Sequence, residues 1–219
     1  PRREAIRRAH TATHLLHRAL RDIFGETCTQ AGSLVAPDFL RFDYHLNRAP
    51  NPDELRLLEN TITRWILEKH PVKWKILAYP EAISLGAVAL FGEKYGEMVR
   101  MVEIEGVSRE LCGGTHLDNT IEVGFIKIQS EESIGAGIRR ISALTGIEAL
   151  NWAQKADEIL QALSRDFSVP LEKVLSRYAQ WKEEFARLGK QEQKWKSRFF
   201  QKMIEEWLKR DEQVITGIM

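Results

Sequence analysis

The pattern of apolar and polar positions divides the chain into two parts of different character. Up to about residue 150, stretches with helical periodicity alternate with short stretches in which every second residue is apolar. Such a mixture is typical of a domain in which helices pack against a sheet. Beyond residue 150 the helical period dominates. The pattern therefore predicts an α+β domain over residues 1–150 and a helical arm over 151–219.

Residues 4–24 form the clearest predicted helix of the first part. Apolar and small residues recur there at steps of three and four, and Gly25 follows as a stop. The predicted core-facing stripe consists of Ile6, Ala9, Thr13, Leu16, Leu20 and Ile23. We expect this stripe to pack on the sheet and to place the residues beside it at the edge of the core.

Three further helices are predicted before the tail. Asn51 is a capping residue followed by Pro52 and, three residues after the cap, by Glu54, so that a helix should run from there to about Lys69. Pro71 forbids its continuation. A short helix is predicted over 81–85, closed by a glycine, and another is expected to begin near residue 147.

Alternating apolar and polar residues predict the strands. The stretch 30–35 leads into a strand over 39–44, and the other predicted strands are 72–79, 97–105, 108–111, 123–129 and 137–144. Hairpin-like connections predominate, so a mainly antiparallel sheet is expected.

The tail carries a long apolar seam. After a break at Ser168-Val169-Pro170, apolar residues fall at steps of three and four, with Glu192 in one slot that should be apolar. The seam consists of Val174, Tyr178, Trp181, Phe185, Leu188, Trp195 and Phe199. This pattern predicts one long helix that is either part of a coiled coil or an arm lying on another domain. Its packing partner is expected in a second copy or elsewhere in a longer chain.

Composition narrows the class of protein. The chain has 219 residues, of which 29% are charged and 43% hydrophobic, with a formal net charge of +1. It is therefore not a polycation, although arginines are concentrated in its first 24 residues. Two cysteines are too few for a disulfide framework, which favours reduced thiols and a cytoplasmic location. No apolar run is long enough for a membrane span and no signal peptide is visible, while the Pro-Arg-Arg start suggests a piece excised from a longer protein.

Candidate metal ligands occur as two pairs. His10 and His14 are one helical turn apart, and Cys112 and His116 flank a Gly113-Gly114 step that permits a tight turn. One thiolate and three imidazoles suit a tetrahedral zinc ion. Either pair alone is weak evidence, because buried or surface histidines are common. Together the pairs predict a zinc site.

The motifs in this order resemble the editing domain family of alanyl-tRNA synthetases, which includes free-standing trans-editing proteins. The resemblance covers about residues 4–150, and the stretch from Tyr44 to Asn51 departs from the form expected there. It is carried by HTATHLLH at 10–17, QAGSLVAP at 30–37, FGEKYG at 91–96, ELCGGTH at 110–116 and GIRRI at 137–141. Residues 151–219 are similar to the helical connector that follows this domain in the bacterial-type synthetase.

The resemblance implies a fold and a function. The expected fold is the α+β editing domain shared by threonyl- and alanyl-tRNA synthetases, and the expected activity is hydrolysis of serine or glycine wrongly attached to tRNA(Ala). Such a second site is needed because a pocket for alanine rejects an added hydroxyl only about a hundredfold. The parent protein would be an alanine-tRNA ligase whose ATP-dependent core lies outside this chain. A free-standing deacylase, a zinc-stabilised tRNA-binding module without turnover and a dimerisation fragment are the alternatives.

The resemblance also implies roles for individual residues. It makes His10, His14, Cys112 and His116 the zinc ligands, and it implicates Thr13 and Gln30 in handling the misplaced amino acid. Zinc with all four protein ligands would orient the substrate and brace the fold, whereas zinc that loses one would polarise a water or the ester carbonyl.

Further candidate residues have both a structural and a functional interpretation. The Gly113 and Gly114 amides would line an oxyanion or the terminal ribose, or would merely form the turn. His17 is expected to be a half-buried polar residue. Four arginines are expected to contact the phosphates of the tRNA(Ala) acceptor end. Arg7 and Arg8 lie on the basic first helix, and Arg139 and Arg140 are adjacent in a predicted strand. The tail would mediate a homodimer or pack within the longer protein.

Overall fold

The computed structural model describes residues 1–89 and 94–216. The chain divides into two compact units, Pro1–Gln154 and Lys155–Met219. The first combines helices with antiparallel sheets and the second is helical, which confirms the predicted α+β class with a helical arm. Part of the motif at 91–96 lies outside the described residues. None of the helices in the described part combines the length and the hydropathy that a bilayer crossing needs.

The helices follow the sequence signals closely. The first ends at Gly25, whose φ of 95° is a conformation that glycine adopts without strain. The second begins with a complete capping box between Asn51 and Glu54. The helices are α1 (Arg2–Phe24), α2 (Pro52–Leu67), α3 (Tyr79–Ser84), α4 (Ile147–Phe167) and α5 (Val174–Thr216), with short 3-10 turns at Thr120–Val123 and Leu171–Lys173.

Seven strands in the described residues form two antiparallel sheets, where the sequence pattern had predicted one. The strands are β1 (Gln30–Val35), β2 (Leu40–His45), β3 (Val72–Ala78), β4 (Met98–Ile104), β5 (Ser108–Leu111), β6 (Ile126–Gly135) and β7 (Ile138–Thr145). The larger sheet has the order β1-β2-β7-β6 and the smaller one the order β3-β4-β5. Periodicity identifies strands but not their partners, which explains why it did not separate the sheets.

The predicted start of the sixth strand at Val123 is wrong. Residues Thr120–Val123 form a 3-10 turn that Asn119 and Glu122 close with a capping box, and the strand begins only at Ile126. The local capping bonds satisfy backbone groups that a strand would have had to pair with a neighbour. The tertiary contacts of this turn with α1 and α2 add to that preference.

The main core of the first unit lies where α1 packs against the other elements of that unit. This helix contacts α2, three strands of the larger sheet and β5 of the smaller sheet. Its apolar stripe joins side chains from β2 and α2 in one buried cluster. A separate small cluster fills the space between α3 and the smaller sheet. Helix α1 therefore touches both sheets, which allows its histidines to meet residues that follow β5.

The second unit contains the remainder of α4 and all of α5. The predicted break is confirmed, since α4 ends at Phe167 and Ser168 has a φ of 53° before Pro170. On α5 the predicted seam begins with the buried Val174 and continues as exposed, mostly aromatic side chains, with ring centroids 5.6 Å apart for Trp181 and Phe185. Whether this seam belongs to a coiled coil stays a prediction.

Candidate metal centre

The two predicted ligand pairs meet in one cluster. Helix α1 supplies His10 and His14, and the loop after β5 supplies Cys112 and His116. One ligand atom from each residue lies within 4.8 Å of all the others. The Cys112 Sγ is 3.4 Å from the Nε2 atoms of both His10 and His116. The packing of α1 against β5 thus joins residues about a hundred positions apart in sequence.

The cluster fits a tetrahedral metal ion. A metal bound at typical distances of about 2.0–2.1 Å to nitrogen and about 2.3 Å to sulfur separates those ligand atoms by roughly 3.5 Å. The observed 3.4 Å separations agree with this geometry. His14 and His116 are buried and the other two are half-buried, so the ligands are shielded from bulk water. These four residues could therefore hold a metal ion.

Gly114 is required by its close approach to a ligand. A Cβ at this position would lie 2.1 Å from the His10 Cε1 atom, a distance no side chain tolerates. Its amide lies 3.4 Å from the Cys112 Sγ and donates to it. The Gly114 N–H is therefore directed at the thiolate, and a role of the two glycines toward a substrate oxyanion or ribose stays a prediction. Gly113 is exposed, and no atom lies within 4 Å of the position its Cβ would take.

The ligand loop is held by three residues that the sequence did not single out for this role. Arg100 on β4 donates through Nη1 to the Cys112 carbonyl at 2.9 Å and to the Gly114 carbonyl at 2.7 Å. Arg7 on α1 donates to the His116 carbonyl. Thr11 accepts from the Leu117 amide at 3.1 Å through Oγ1. Three separate anchors thus fix the backbone around the ligands.

A buried carboxylate supports the helix histidines. Glu110 on β5 places Oε2 3.2 Å from Nδ1 of His14 and 3.2 Å from Nδ1 of His17, and all three side chains are buried. His17 is therefore buried and not half-buried as predicted. Since Nδ1 of His14 faces Glu110, its Nε2 is the nitrogen left for the cluster, as in carboxylate–histidine–metal arrangements. Residues two apart on a strand point to the same face, so the position of Glu110 two residues before Cys112 is the sequence signal that would have revealed its role.

The protonation of the ligands suits metal binding. Burial opposes ionisation of the Cys112 thiol, but hydrogen bonds from His10, His116 and His14 outweigh it and lower its pKa to about 3. Burial lowers the pKa of His116 to about 4, so its imidazole is neutral at pH 7. Burial alone would lower the pKa of His14, yet the Glu110 charge raises it to about 10. A metal ion at His14 would thus displace a proton from that ring.

The two predicted substrate residues lie on different elements. Thr13 is buried on α1, where its Oγ1 donates to the Ala9 carbonyl at 2.9 Å. Gln30 is half-buried on β1, and its Nε2 donates to the Ser33 Oγ at 3.2 Å. Thr13 lies next to a ligand in sequence, whereas the described hydrogen bond of Gln30 does not reach the cluster. Their roles toward a substrate stay predictions.

All four arginines predicted to contact RNA have protein partners. Arg8 donates to the Glu122 carbonyl at 3.1 Å, and Arg7 pairs with Glu4 and Asp118 in addition to its bond to the ligand loop. Arg140 makes a two-point contact with Asp43 at 2.7 and 2.8 Å.

The Arg139 side chain is less exposed than those of Arg7 and Arg140. It pairs with Glu131, which also accepts a hydrogen bond from the Tyr44 hydroxyl at 3.0 Å. The four cations therefore stabilise the fold, and contact with RNA phosphates would be an additional role for each.

A cavity of about 660 Å³ opens beside the cluster. It lies between the first turns of α1, the strands β3 and β4, and the ligand loop. His116 belongs both to its wall and to the metal cluster. Its other lining residues include Arg3, Arg7, Trp74, Arg100 and Thr115. A ligand in this cavity would lie against the metal centre.

Comparisons with known proteins agree with this architecture. The family described as the threonyl and alanyl tRNA synthetase second additional domain matches residues 99–142. The alanine–tRNA ligase of Chloroflexus aurantiacus is 48% identical over 188 residues, which cover 80% of this chain and 21% of that protein.

Other relatives give the same result. The alanine–tRNA ligase of Thermotoga maritima is 45% identical over 86% of the chain and 22% of that protein. That of Thermus thermophilus is 49% identical over 77% of the chain and 20% of that protein. The chain spans about a fifth of the length of these relatives. The chain is therefore similar to a segment of the alanine–tRNA ligases over most of its length, and its residues 99–142 match the second additional domain of threonyl- and alanyl-tRNA synthetases.

Proposed function

We propose that this chain is a zinc-dependent aminoacyl-tRNA deacylase that hydrolyses Ser-tRNA(Ala) and Gly-tRNA(Ala), and that its parent protein is an alanine-tRNA ligase. The observation that carries the proposal is the cluster of His10, His14, Cys112 and His116 in a chain of this family. The neighbouring cavity supports it, because His116 links the metal ligands to a space large enough for a substrate end. We further propose the acceptor end of tRNA(Ala) as the partner and the cytoplasm as the location.

The ligand set supports zinc as the ion. Three imidazoles and a thiolate suit zinc better than magnesium or calcium, which prefer oxygen ligands. Bound there, zinc would supply a positive charge that orients the substrate or, with a vacant position, polarises the ester carbonyl. The chain's own part is to hold the ligands, through Glu110 behind His14 and through Arg100 and Arg7 at the loop.

The Thr13 hydroxyl can only accept a hydrogen bond from a substrate hydroxyl. Its Oγ1 gives its proton to the Ala9 carbonyl, so only its lone pairs remain to accept a hydrogen bond. A serine hydroxyl would therefore act as the donor to Thr13. Alanine has no such donor and would leave the buried Thr13 oxygen without this partner. This asymmetry would distinguish serine from alanine. It does not act on glycine, which has no hydroxyl either, so hydrolysis of the glycine ester would not depend on this hydrogen bond.

The activity is tested by hydrolysis of preformed substrates. We expect the purified chain with zinc to hydrolyse Ser-tRNA(Ala) and Gly-tRNA(Ala) much faster than Ala-tRNA(Ala), and chelation to abolish the reaction until zinc is restored. Equal rates for serine and alanine esters, or no turnover by protein with its full zinc content, would contradict the proposal.

Replacement of Thr13 by valine tests the discrimination. This change keeps the approximate volume and removes the hydroxyl. Loss of a buried hydrogen bond should raise the activation free energy of Ser-tRNA hydrolysis by about 1–3 kcal/mol, which slows the reaction roughly five- to 150-fold. Gly-tRNA hydrolysis should fall less because glycine has no hydroxyl. Thr13→Ser, which retains the hydroxyl, is the matched control, and zinc content should be unchanged in both. Equal losses for the two substrates would mean that Thr13 only shapes the helix.

A second candidate is a zinc-stabilised tRNA-binding module without turnover. It is favoured by one observation, namely that four protein ligands complete a tetrahedral site, as structural zinc sites do. In that case tRNA would bind with a salt dependence set by phosphate contacts, and the ester would persist. Measuring ester half-life in the presence of excess protein separates the two candidates.

A further inference from the structure

Large apolar side chains are exposed on one face of the smaller sheet. Trp74 and Ile76 on β3 are 59% and 60% exposed, and Met98 on β4 is 61% exposed. All three share a face, because Ile76 pairs with Arg100 across the strands, and Ala78, two residues further along β3, pairs with Met98. Exposed apolar side chains grouped in this way mark interaction sites more often than isolated ones do.

The indole of Trp74 is tied to the metal loop through one guanidinium group. The Cζ of Arg100 lies 4.9 Å from the centroid of the Trp74 ring. The same guanidinium bonds to the carbonyls of Cys112 and Gly114. Because these bonds fix Arg100, its position against the indole is also fixed, and the ring is held ready for a ligand on its exposed side.

The cavity leads from this indole to the metal ligands. Trp74, Arg100 and His116 all line its volume of about 660 Å³, within the range of small-molecule pockets. Its charged lining comprises the cations Arg3, Arg7, Lys73 and Arg100 and the anions Glu4 and Asp118. An anionic ligand with a flat ring at one end would match both the net positive lining and the aromatic wall.

We propose that Trp74, backed by Arg100, is the stacking platform for the 3′-terminal nucleoside of the aminoacylated tRNA. The base lies on the indole, its phosphate faces the cationic lining, and the ribose that carries the ester points toward His116 and the cluster. Stacking on aromatic rings and arginine planes is the usual way in which proteins bind unpaired RNA ends. The identity of the RNA rests on the proposed function, whereas a nucleotide site at Trp74 follows from the cavity and its lining.

The nucleotide site is tested first with adenosine monophosphate as the probe. In the full chain, the indole N–H resonance of Trp74 is assigned by its loss in Trp74→Phe. Titration with the nucleotide to millimolar concentration should shift this resonance and leave that of Trp152 unchanged. Trp152 is the matched control, since it is 37% exposed and carries Lys127 at 5.2 Å from its ring. An unmoved Trp74 resonance at the highest concentration would overturn the proposal.

The contribution of stacking is then measured on uncharged tRNA(Ala) with and without its terminal nucleotide. Removing that nucleotide should weaken binding to the wild type and to Trp152→Leu about five- to 150-fold. The same removal should have almost no effect on Trp74→Leu, because the platform is already absent. An equal loss in all three proteins, or no loss in the wild type, would contradict the stacking role.

These binding experiments are independent of hydrolysis. A protein that binds the terminal nucleotide through Trp74 but leaves Ser-tRNA(Ala) intact would support the platform and refute the deacylase. A protein that hydrolyses the ester equally well in wild type and Trp74→Leu, with unchanged tRNA affinity, would refute the platform and leave the deacylase standing.

Discussion

Helices α1 and α5 show the same sequence signal and have opposite surroundings. Both carry apolar residues at steps of three and four, and α5 is the longer by far. Yet Leu16 of α1 is 0% exposed whereas Leu188 of α5 is 57% exposed. The stripe of α1 joins the main core, whereas the described side chains of the α5 stripe are exposed beyond Val174.

The difference shows what turns an amphipathic helix into a site. On α1, burial of the stripe brings His14 and His17 against Glu110 and places His10 at the cluster. On α5, the described polar and charged side chains are mostly exposed, as in the ion pair of Lys196 with Glu192. Periodicity alone predicts a helix with an apolar face, whereas a functional site requires a second element that meets that face.

The largest expected effect concerns the metal. Replacing Cys112 by serine removes the thiolate and should reduce bound zinc from about one ion per chain to nearly none at limiting metal, because the thiolate is the strongest ligand of the set. Cys28→Ser is the control, since this cysteine is buried outside the cluster. Elemental analysis of both variants gives the answer, and full zinc content in Cys112→Ser would exclude the site.

Leucine-to-alanine changes in the two helices compare their packing directly. We expect Leu16→Ala to lower the free energy of unfolding of the first unit by about 2–5 kcal/mol, because it leaves a cavity in a closed core. Leu188→Ala should change it by less than about 0.5 kcal/mol, since the side chain is exposed. Hydrogen exchange of the β2 amides reports the first unit alone. Equal effects would contradict the prediction that the exposed Leu188 side chain contributes little to the stability of the first unit.

Removing the charge behind His14 should have a smaller effect on the metal. Glu110→Gln keeps the shape but removes the negative charge 3.2 Å from the His14 ring, so we expect zinc affinity to fall about 10- to 100-fold. Glu103→Gln on β4 is the control, because Glu103 pairs with Arg109 away from the ligands. Competition with a chelator of known affinity measures both. Unchanged affinity in Glu110→Gln would assign this carboxylate to the core alone.

The smallest expected effect is a dependence of stability on pH. The hydrogen bond from Arg140 holds the pKa of Asp43 below its usual range, despite the opposing effect of burial. A carboxylate with a depressed pKa stabilises the fold above its unfolded value of about 3.9, and this contribution is lost as the pH falls through the folded value. Asp43→Asn should therefore reduce the loss of unfolding free energy at acid pH, that is, flatten the acid limb of the curve of unfolding free energy against pH. Urea titrations at a series of pH values measure this curve. Asp38→Asn is the control and should leave that limb unchanged, since this exposed carboxylate has no ion pair among the described residues.

Local sequence signals were sufficient for most element boundaries. The capping box at Asn51, the stop at Gly25 and the break before Pro170 each depend on neighbouring residues and were predicted. The alternation predicted for the strand over 97–105 was also confirmed, because the register with β3 puts Val102 and Val99 on opposite faces of β4. The start of β6 was predicted wrongly because a capping box at Asn119 competes with the strand, and its contacts with two helices decide between them.

The sequence predicted the four metal ligands of the candidate site but not the residues that support them, for a physical reason. Ligand types at a spacing of four residues are visible in the sequence, so His10, His14, Cys112 and His116 were found together. Arg100 and Thr11 carry no such spacing, because each acts through space on residues distant in sequence, and Glu110 is marked only by its position two residues before Cys112. The arginines expected at RNA illustrate the converse, since their charge was visible but their partners Asp43 and Glu131 were not.

By itself, the sequence determined the class of fold, the helix ends, the faces of the strands and the kinds of ligand available, because these depend on residues within a few positions of one another. Only the tertiary structure decided that the strands form two sheets, that α1 packs between α2 and the strands, and that Trp74 stands beside the metal loop with Arg100 against it. Such juxtapositions arise from burial of apolar area between distant segments, a force that is non-directional and leaves no local pattern.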